Sequence, residues 1–207
     1  MNYIGHLYFS GKDKSLQLAN WYADEIKGSN WSNYPLLIVK GAQLHRKMDD
    51  FTDNHKGLLE LKHLLYKDLP KVAPIAVDLY IDHVLTKNWD NFHPIPYVEF
   101  LEDFYRFAYQ EITKVIPMSN GELFRWNSSF KAFLDIFYSR KFMQQYPQLE
   151  GLRRASFGLS RRISFPNKLA DATEVYLNNQ KVVDEHCLLF LSDAQQYFAV
   201  EKRTFMQ

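Results

Sequence analysis

The chain has 207 residues, with 25 Lys and Arg against 24 Asp and Glu, which gives a formal net charge of +1. This near-neutrality excludes a general electrostatic attraction to nucleic acid or to an anionic membrane. Hydrophobic residues make up 46% and aromatic residues 16% of the chain, which excludes a disordered protein and predicts one folded domain over residues 1–207. The single cysteine excludes an intramolecular disulfide. With neither a signal peptide nor an apolar run of ~20 residues, the sequence predicts a cytoplasmic protein that does not span a membrane.

Apolar residues recur at helical spacing along most of the chain. The predicted helices cover residues 16–26, 34–53, 58–65, 75–85, 100–112 and 168–203. An aromatic stripe over residues 124–137 is typical of core, and no segment alternates convincingly with period two. The sequence therefore predicts an all-α, single-domain bundle of seven or eight helices.

One stretch of the helix over residues 34–53 carries an imidazole and two carboxylates. His45, Asp49 and Asp53 are four residues apart, so they share one helix face, because each step of four turns the side chain by only about 40°. Carboxylates that close repel each other unless a positive charge lies between them, and a divalent metal would supply it. The alternative is that Asp49 and Asp50 face water while Asp53 caps the next helix.

The nearly all-apolar helix over residues 75–85 carries three ionisable residues, Asp78, Asp82 and His83. A buried carboxylate is costly without a partner, so each must pair, hydrogen-bond or bind a metal. Core ion pairing to Arg46 or Lys47 is the alternative. Because neighbouring helical residues diverge by about 100°, at most two of the three contact one metal, and the third orients a ligand from behind.

Seven candidate ligands come from separate predicted helices or helix entries and can converge inside a helical bundle. They are His6, Asp24, His45, Asp49, Asp78, Asp82 and His83. Mixed imidazole and carboxylate ligands favour manganese, iron or zinc over calcium. A metal held mainly by carboxylates, with basic residues nearby, indicates hydrolysis of a phosphate ester, because the metal lowers the pKa of bound water and neutralises phosphoryl oxygens.

A basic run lies between Gly151 and Leu169 and contains no acidic residue. Its cations are Arg153, Arg154, Arg161, Arg162 and Lys168. The run predicts a local positive patch, and because Arg161 and Arg162 cannot both point the same way on a helix, one of them can face the site and bind a phosphate. The alternative is an ordinary solvated face.

Short motifs follow one another along the chain. In the first part they are Asn2 to His6 with Leu7, Ala19-Asn20, Ala23-Asp24, Lys27-Gly28, Gly41, Leu44-His45-Arg46, Asp49 and Phe51-Thr52-Asp53. They continue with Val77-Asp78, Asp82-His83, Leu85, Asn88-Trp89, Gly158 and Ser160-Arg161-Arg162. In these motifs the chain resembles the acyl-carrier-protein phosphodiesterases, well over the first 90 residues and thinly in the C-terminal half. The family pattern has Gly-Asn where this chain has Ala19-Asn20.

The resemblance implies a fold related to the HD phosphohydrolases, although the adjacent pair here is Asp82-His83 instead of His followed by Asp. It also implies a manganese-type metal, with Mg²⁺, Fe²⁺ or Zn²⁺ as alternatives. The implied reaction removes 4′-phosphopantetheine from the serine of acyl carrier protein and leaves the apo form. Two other functions stay open: a phosphohydrolase of a nucleotide or other small phosphate ester, and a non-enzymatic helical adaptor whose acidic groups are core pairs.

The combined prediction assigns roles to individual residues. The predicted metal ligands are Asp24, His45, Asp49, Asp82 and His83. The predicted catalytic residues are His6, Asp24, Arg46, Asp78 and His83. The predicted substrate contacts are Asn20, Arg153, Arg154, Arg161 and Arg162.

Overall fold

The computed structural model describes residues 1–28, 31–118 and 120–205, with side chains described as far as Val200, and it confirms the all-α class. The eleven α-helices within these ranges are α1 (Tyr3–Phe9), α2 (Lys14–Tyr22), α3 (Leu36–Asn54), α4 (Lys56–Leu65), α5 (Ala73–Lys87), α6 (Trp89–Phe92), α7 (Tyr97–Glu111), α8 (Ser128–Ser139), α9 (Leu149–Ser160), α10 (Ala172–Asn178) and α11 (Gln180–Phe205). Single 3₁₀ turns lie at Ala23–Glu25, Met143–Gln145 and Leu169–Asp171. None of the helices in these ranges is long and apolar enough to cross a membrane.

The helix count exceeds the predicted seven or eight for local reasons. The segment from Tyr3 to Phe9, predicted to precede the first helix, is itself helical. The long helix predicted over residues 168–203 is interrupted at Asn179, whose backbone leaves helical geometry while its side-chain amide donates to the Val175 carbonyl. An asparagine that bonds its own preceding turn competes with helix continuation.

A small hairpin corrects the expectation that the chain has no strand. Strands β1 (Val115–Pro117) and β2 (Leu123–Arg125) pair antiparallel, with Ile116 opposite Phe124. Gly121 has a φ of +82° in the turn, a conformation that glycine adopts without steric cost. Each strand has only three residues, which is too short to produce a period-two pattern in the sequence.

The predicted central helix is confirmed as α5, which packs against α1, α4, α9 and α11. Pro74 lies in its first turn, where the missing N–H costs no helical hydrogen bond. All its residues from Leu79 to Thr86 are buried. Any charged group on this helix therefore depends on partners supplied by neighbouring elements.

Helices α2 and α3 approach each other closely at a glycine. A Cβ atom added to Gly41 would lie 2.4 Å from the backbone carbonyl carbon of Ala19, so the two backbones can reach this distance only because position 41 lacks a side chain. The contact also accommodates alanine at position 19, where the family pattern has glycine. It places Asn20, the next residue on α2, beside His45 on α3.

The stripe over residues 124–137 is confirmed as core at five positions, Phe124, Trp126, Phe130, Leu134 and Phe137, whereas Phe133 is partly buried and Ile136 is exposed. Its members surround the first two helices: the rings of Phe133 and Phe137 contact both Tyr3 and Trp21. Edge-to-face packing dominates these contacts, the arrangement that aromatic quadrupoles favour. The C-terminal half of the chain thus supports the N-terminal helices that carry most of the predicted site.

Candidate metal centre

Four predicted residues from three elements meet at one small pocket. His6 lies on α1, Asp24 in the 3₁₀ turn after α2, and His45 with Asp49 on α3. The distance from Asp49 Oδ1 to His6 Nε2 is 3.3 Å, that from Asp49 Oδ2 to His45 Nε2 is 3.3 Å, and that from Asp24 Oδ1 to His45 Nε2 is 3.4 Å. The two imidazoles stack with their centroids 4.0 Å apart. We call His6, Asp24, His45 and Asp49 the His-Asp cluster.

Asn20 orients the His45 ring from behind. His45 Nδ1 lies 3.1 Å from the Asn20 backbone carbonyl oxygen and 3.0 Å from its side-chain oxygen. Since a carbonyl oxygen only accepts, Nδ1 carries a hydrogen in either charge state of the ring. Burial opposes protonation of His45, but its hydrogen bond to Asp24 and the charges of Asp49 and Asp24 outweigh burial and raise its pKa, so the protonated ring also donates from Nε2 to these carboxylates. Loss of that proton leaves the Nε2 lone pair directed into the pocket, as a metal ligand requires. Asn20 is fully buried, so the structure corrects its predicted substrate contact to a positioning role like that of the outer partners of metal-bound histidines.

The electrostatics of the cluster separate charged from neutral groups. Burial lowers the pKa of His6 to about 4, although the hydrogen bond to Asp49 opposes the shift. The hydrogen bond to His45 lowers the pKa of Asp24. Burial would raise the pKa of Asp49, but its hydrogen bond to His6 and the nearby imidazoles outweigh burial and lower it. At neutral pH the cluster therefore contains two carboxylates and a neutral His6.

The donor set fits a first-row divalent cation. Donor atoms of His6, His45 and Asp49 all lie within 4.8 Å of one another, and Asp24 adds a second carboxylate beside them. His6 Nδ1 is buried without a hydrogen-bond partner among the described residues, so the polar interactions of this ring lie on its Nε2 side. Two imidazoles and two carboxylates are a ligand combination suited to Mn²⁺, Fe²⁺ or Zn²⁺.

The structure separates Asp82 from the cluster and corrects its predicted role as a metal ligand. Asp82 is fully buried, and its two oxygens accept the backbone N–H groups of Ile4 at 2.8 Å and Gly5 at 3.0 Å. It thereby satisfies donors in the first turn of α1, which have no partner within the helix. Asp82 fixes the helix that carries His6 and provides no atom to the pocket.

The pH dependence of stability tests this assignment. Burial raises the pKa of Asp82 to about 7, against the opposing N–H bonds, from an ordinary value near 3.9 in the unfolded chain. A raised folded-state pKa means that the folded protein binds the proton more tightly, so this contribution to stability is present below about pH 4 and is lost as the pH rises through about 7. We expect the stability advantage of the wild type over Asp82→Asn to be larger at pH 5 than at pH 8 in chemical denaturation. An advantage that grows with pH would contradict it.

Three other predicted catalytic residues also lie outside the cluster. His83 is buried on α5, with Nδ1 2.7 Å from the Tyr146 carbonyl oxygen. Asp78 accepts from the Met1 ammonium at 2.9 Å. Arg46 bonds the Gly28 carbonyl, and its guanidinium stacks over Trp31 at 4.6 Å. Neighbouring side chains on a helix point about 100° apart, so residues that are close in sequence contact different partners.

Asp53, the third member of the spaced stretch on α3, points away from the pocket. Its side chain is exposed and lies 3.1 Å from Lys62 on α4. His55, not Asp53, occupies the N-cap of α4. Only the first two members of the His45-Asp49-Asp53 series therefore reach the cluster.

Two cations of the predicted positive patch pair with carboxylates that lie outside the run. Arg153 pairs with Glu150 and with Glu174 of α10, at 3.4 Å and 3.2 Å. Arg154 lies 3.0 Å from Glu150. Glu150 immediately precedes the run in sequence, and the fold brings Glu174 close to it. These carboxylates neutralise much of the positive charge of Arg153 and Arg154.

The last two arginines of the run behave differently. Arg161 lies over the exposed ring of Phe157 at 5.8 Å. Arg162 reaches the hydroxyl of Tyr3. Burial is the largest effect on the pKa of that hydroxyl and raises it, as does the charge of Asp24. Arg162 lowers the pKa, but the net change is an increase.

Tyr3 lines the cluster pocket together with Asn2 and Trp21. Sequence reasoning missed Tyr3 and Trp21 because their aromatic side chains follow the same pattern as core residues.

The sequence profile and the known relatives that match this chain carry the same family name. The sequence profile described as Acyl carrier protein phosphodiesterase matches residues 1–194. A protein of that name from Klebsiella pneumoniae (strain 342) is 28% identical over 163 residues, which cover 78% of this chain and 79% of the relative. One from Enterobacter sp. (strain 638) is 27% identical over the same coverage. No solved structure matches the chain, so the relation to the HD phosphohydrolases stays a prediction. The chain belongs to the acyl carrier protein phosphodiesterase family.

Proposed function

We propose that this protein is a metal-dependent phosphodiesterase that releases 4′-phosphopantetheine from the serine of holo acyl carrier protein. The observation that supports the proposal is the His-Asp cluster, in which two imidazoles and two carboxylates line one pocket of about 160 Å³. The relatives' name specifies carrier protein as their substrate. The cluster is the feature that a non-enzymatic adaptor would not need.

The proposed cation is Mn²⁺, with Mg²⁺, Fe²⁺ or Zn²⁺ as alternatives. His6, His45 and Asp49 would hold it, with Asp24 as a fourth donor. When bound, such a cation supplies a Lewis acid that activates water and neutralises charge on phosphoryl oxygens.

The residues of the chain divide the remaining tasks. Asn20 keeps His45 in the tautomer that directs Nε2 into the pocket. Asp24 is the most exposed carboxylate of the cluster, with 69% of its side chain accessible, and its lowered pKa leaves it ionised and able to accept a proton from water. Asp49 bridges the two imidazoles and fixes their spacing.

The serine oxygen that leaves phosphorus needs a proton. His6, one of the predicted catalytic residues, is neutral at pH 7 because burial lowers its pKa, so it suits the role of a metal ligand better than that of a proton donor. His83 faces away from the pocket. Tyr3 lines the pocket and keeps its hydroxyl proton at neutral pH, which makes it the residue that we propose to donate to the leaving oxygen.

Metal removal and restoration test the proposed reaction. We expect the purified protein to convert holo carrier protein to the apo form with release of 4′-phosphopantetheine, to lose this activity after chelation, and to regain it with added Mn²⁺. Mass spectrometry of the intact carrier protein measures the conversion. Cleavage of a small phosphodiester without conversion of holo carrier protein would replace the proposal with the small-substrate alternative. Inactivity on both substrates with all four metals would support the adaptor.

A further inference from the structure

A second cavity of about 320 Å³ lies directly beside the cluster pocket, between α1, α8 and α9. The two spaces share Asn2 and Tyr3 as lining residues. Its volume falls at the lower end of the range typical of small-molecule sites, roughly 300 Å³ and above. The cavity and the cluster pocket are therefore neighbours, with Asn2 and Tyr3 at their border.

The cavity walls combine apolar surface with a few hydrogen-bonding groups. Phe137, Phe142 and Leu159 supply apolar surface, and Asn2 and Gln145 supply amides. The hydroxyl of Tyr146, another lining residue, is buried without a hydrogen-bond partner among the described residues. Tyr146 therefore contributes ring surface to the wall, since its hydroxyl oxygen is itself shielded from solvent.

The charge at the wall is positive. Arg140, Arg154 and Arg162 line the cavity, and no carboxylate occurs among its described lining residues. Arg154 is held by Glu150 and Gln145, whereas Arg162 reaches the Tyr3 hydroxyl at the border with the cluster pocket. A guanidinium at this border can bind a phosphate oxygen with paired hydrogen bonds.

We propose that this cavity binds the pantetheine arm of the substrate, with the phosphate at the Tyr3–Arg162 border facing the His-Asp cluster. The proposal rests on the proposed function. The arm is an uncharged chain with two amides, a hydroxyl and a thiol, which matches apolar walls carrying scattered amide and hydroxyl groups. Arg162 at the border suits the phosphate, the single anionic group of the substrate's phosphopantetheine, and no carboxylate among the described lining residues repels it.

Gly158 provides a direct test because it lines the cavity from α9. A Cβ atom added there would meet nothing within 4 Å, so a larger side chain starts in open space at the cavity wall and not in the packed core. We expect Gly158→Phe to weaken binding of free pantetheine, which lacks the phosphate, roughly tenfold or more. Gly158→Ala is the matched control and should bind like the wild type. Equilibrium dialysis of radiolabelled pantetheine measures the affinities independently of turnover.

Kinetics separate this proposal from the proposed function. For holo carrier protein, Gly158→Phe should raise the KM by a larger factor than it raises the KM for bis(p-nitrophenyl) phosphate, which has no arm. If the wild type cleaves neither substrate, the proposed function fails, and the dialysis still decides whether the cavity binds pantetheine. Absence of saturable pantetheine binding to the wild type, or unchanged binding to Gly158→Phe, would overturn the proposal.

A second variant keeps the test decisive if Gly158→Phe does not fold. Ile136 lines the same cavity from α8 and is 47% exposed, so Ile136→Trp adds bulk at the rim without entering the core. Circular dichroism and thermal unfolding establish that each variant is folded. If Gly158→Phe fails to fold, the same loss of pantetheine affinity in Ile136→Trp supports the proposal, and full affinity in that variant contradicts it.

Discussion

Replacing Asp49 with Asn should reduce phosphodiesterase activity at least about 100-fold and weaken metal binding. Changes in residues that only support metal ligands cost about 10–100-fold, and Asp49 lies in the cluster itself, 3.3 Å from both His6 Nε2 and His45 Nε2. The amide has the same shape but no charge, and its NH₂ group would face one of the two imidazole nitrogens. Activity on holo carrier protein and the Mn²⁺ content of the dialysed protein measure the effect.

Asp50 supplies the matched control for this variant. It is the next residue on α3, its side chain is exposed, and it contacts only Asn54 in the described structure. Asp50→Asn makes the same chemical change and should keep both metal and activity. Asp82→Asn should also retain metal, because its carboxylate bonds α1. Full metal occupancy and turnover in Asp49→Asn would contradict the proposed centre.

Replacing Gly41 with Ala should destabilise the protein by about 1–3 kcal/mol or more, as inserted atoms do in a packed core. The added Cβ would lie 2.4 Å from the Ala19 carbonyl carbon and 2.7 Å from its oxygen. These are backbone atoms, so α2 and α3 must separate. The shift would also pull Asn20 from His45 Nδ1, and activity should fall along with stability. Thermal unfolding detects the change, since each kcal/mol corresponds to about 2–4 °C at this chain length.

Gly158 is the control for the Gly41 substitution because it is also a helical glycine. Alanine there meets nothing within 4 Å and should stabilise the protein by up to about 1 kcal/mol, since it reduces the freedom of the unfolded chain. The two identical substitutions should therefore shift the melting temperature in opposite directions. If Gly41→Ala also raised it, the close approach of α2 and α3 would be wrong.

Local periodicity was enough to predict the helical class and half of the cluster. His45 and Asp49 are four residues apart on a strongly patterned helix, and that spacing alone places them on one face. The central apolar helix and the aromatic core were predicted for the same reason. The short motifs likewise led to the family, because they are read along the chain and require no knowledge of packing.

The tertiary structure alone decided which charged residues meet. The sequence predicted Asp82 and not His6 as a metal ligand, but Asp82 bonds the first turn of α1 while His6, one residue beyond Gly5, turns toward α3. Glu174 reaches Arg153 from 21 residues away, so a run without acids in sequence is paired in space. The partner of a charged side chain is often supplied by an element that is distant in sequence. Which elements meet depends on how the helices pack, and no local sequence pattern specifies that packing.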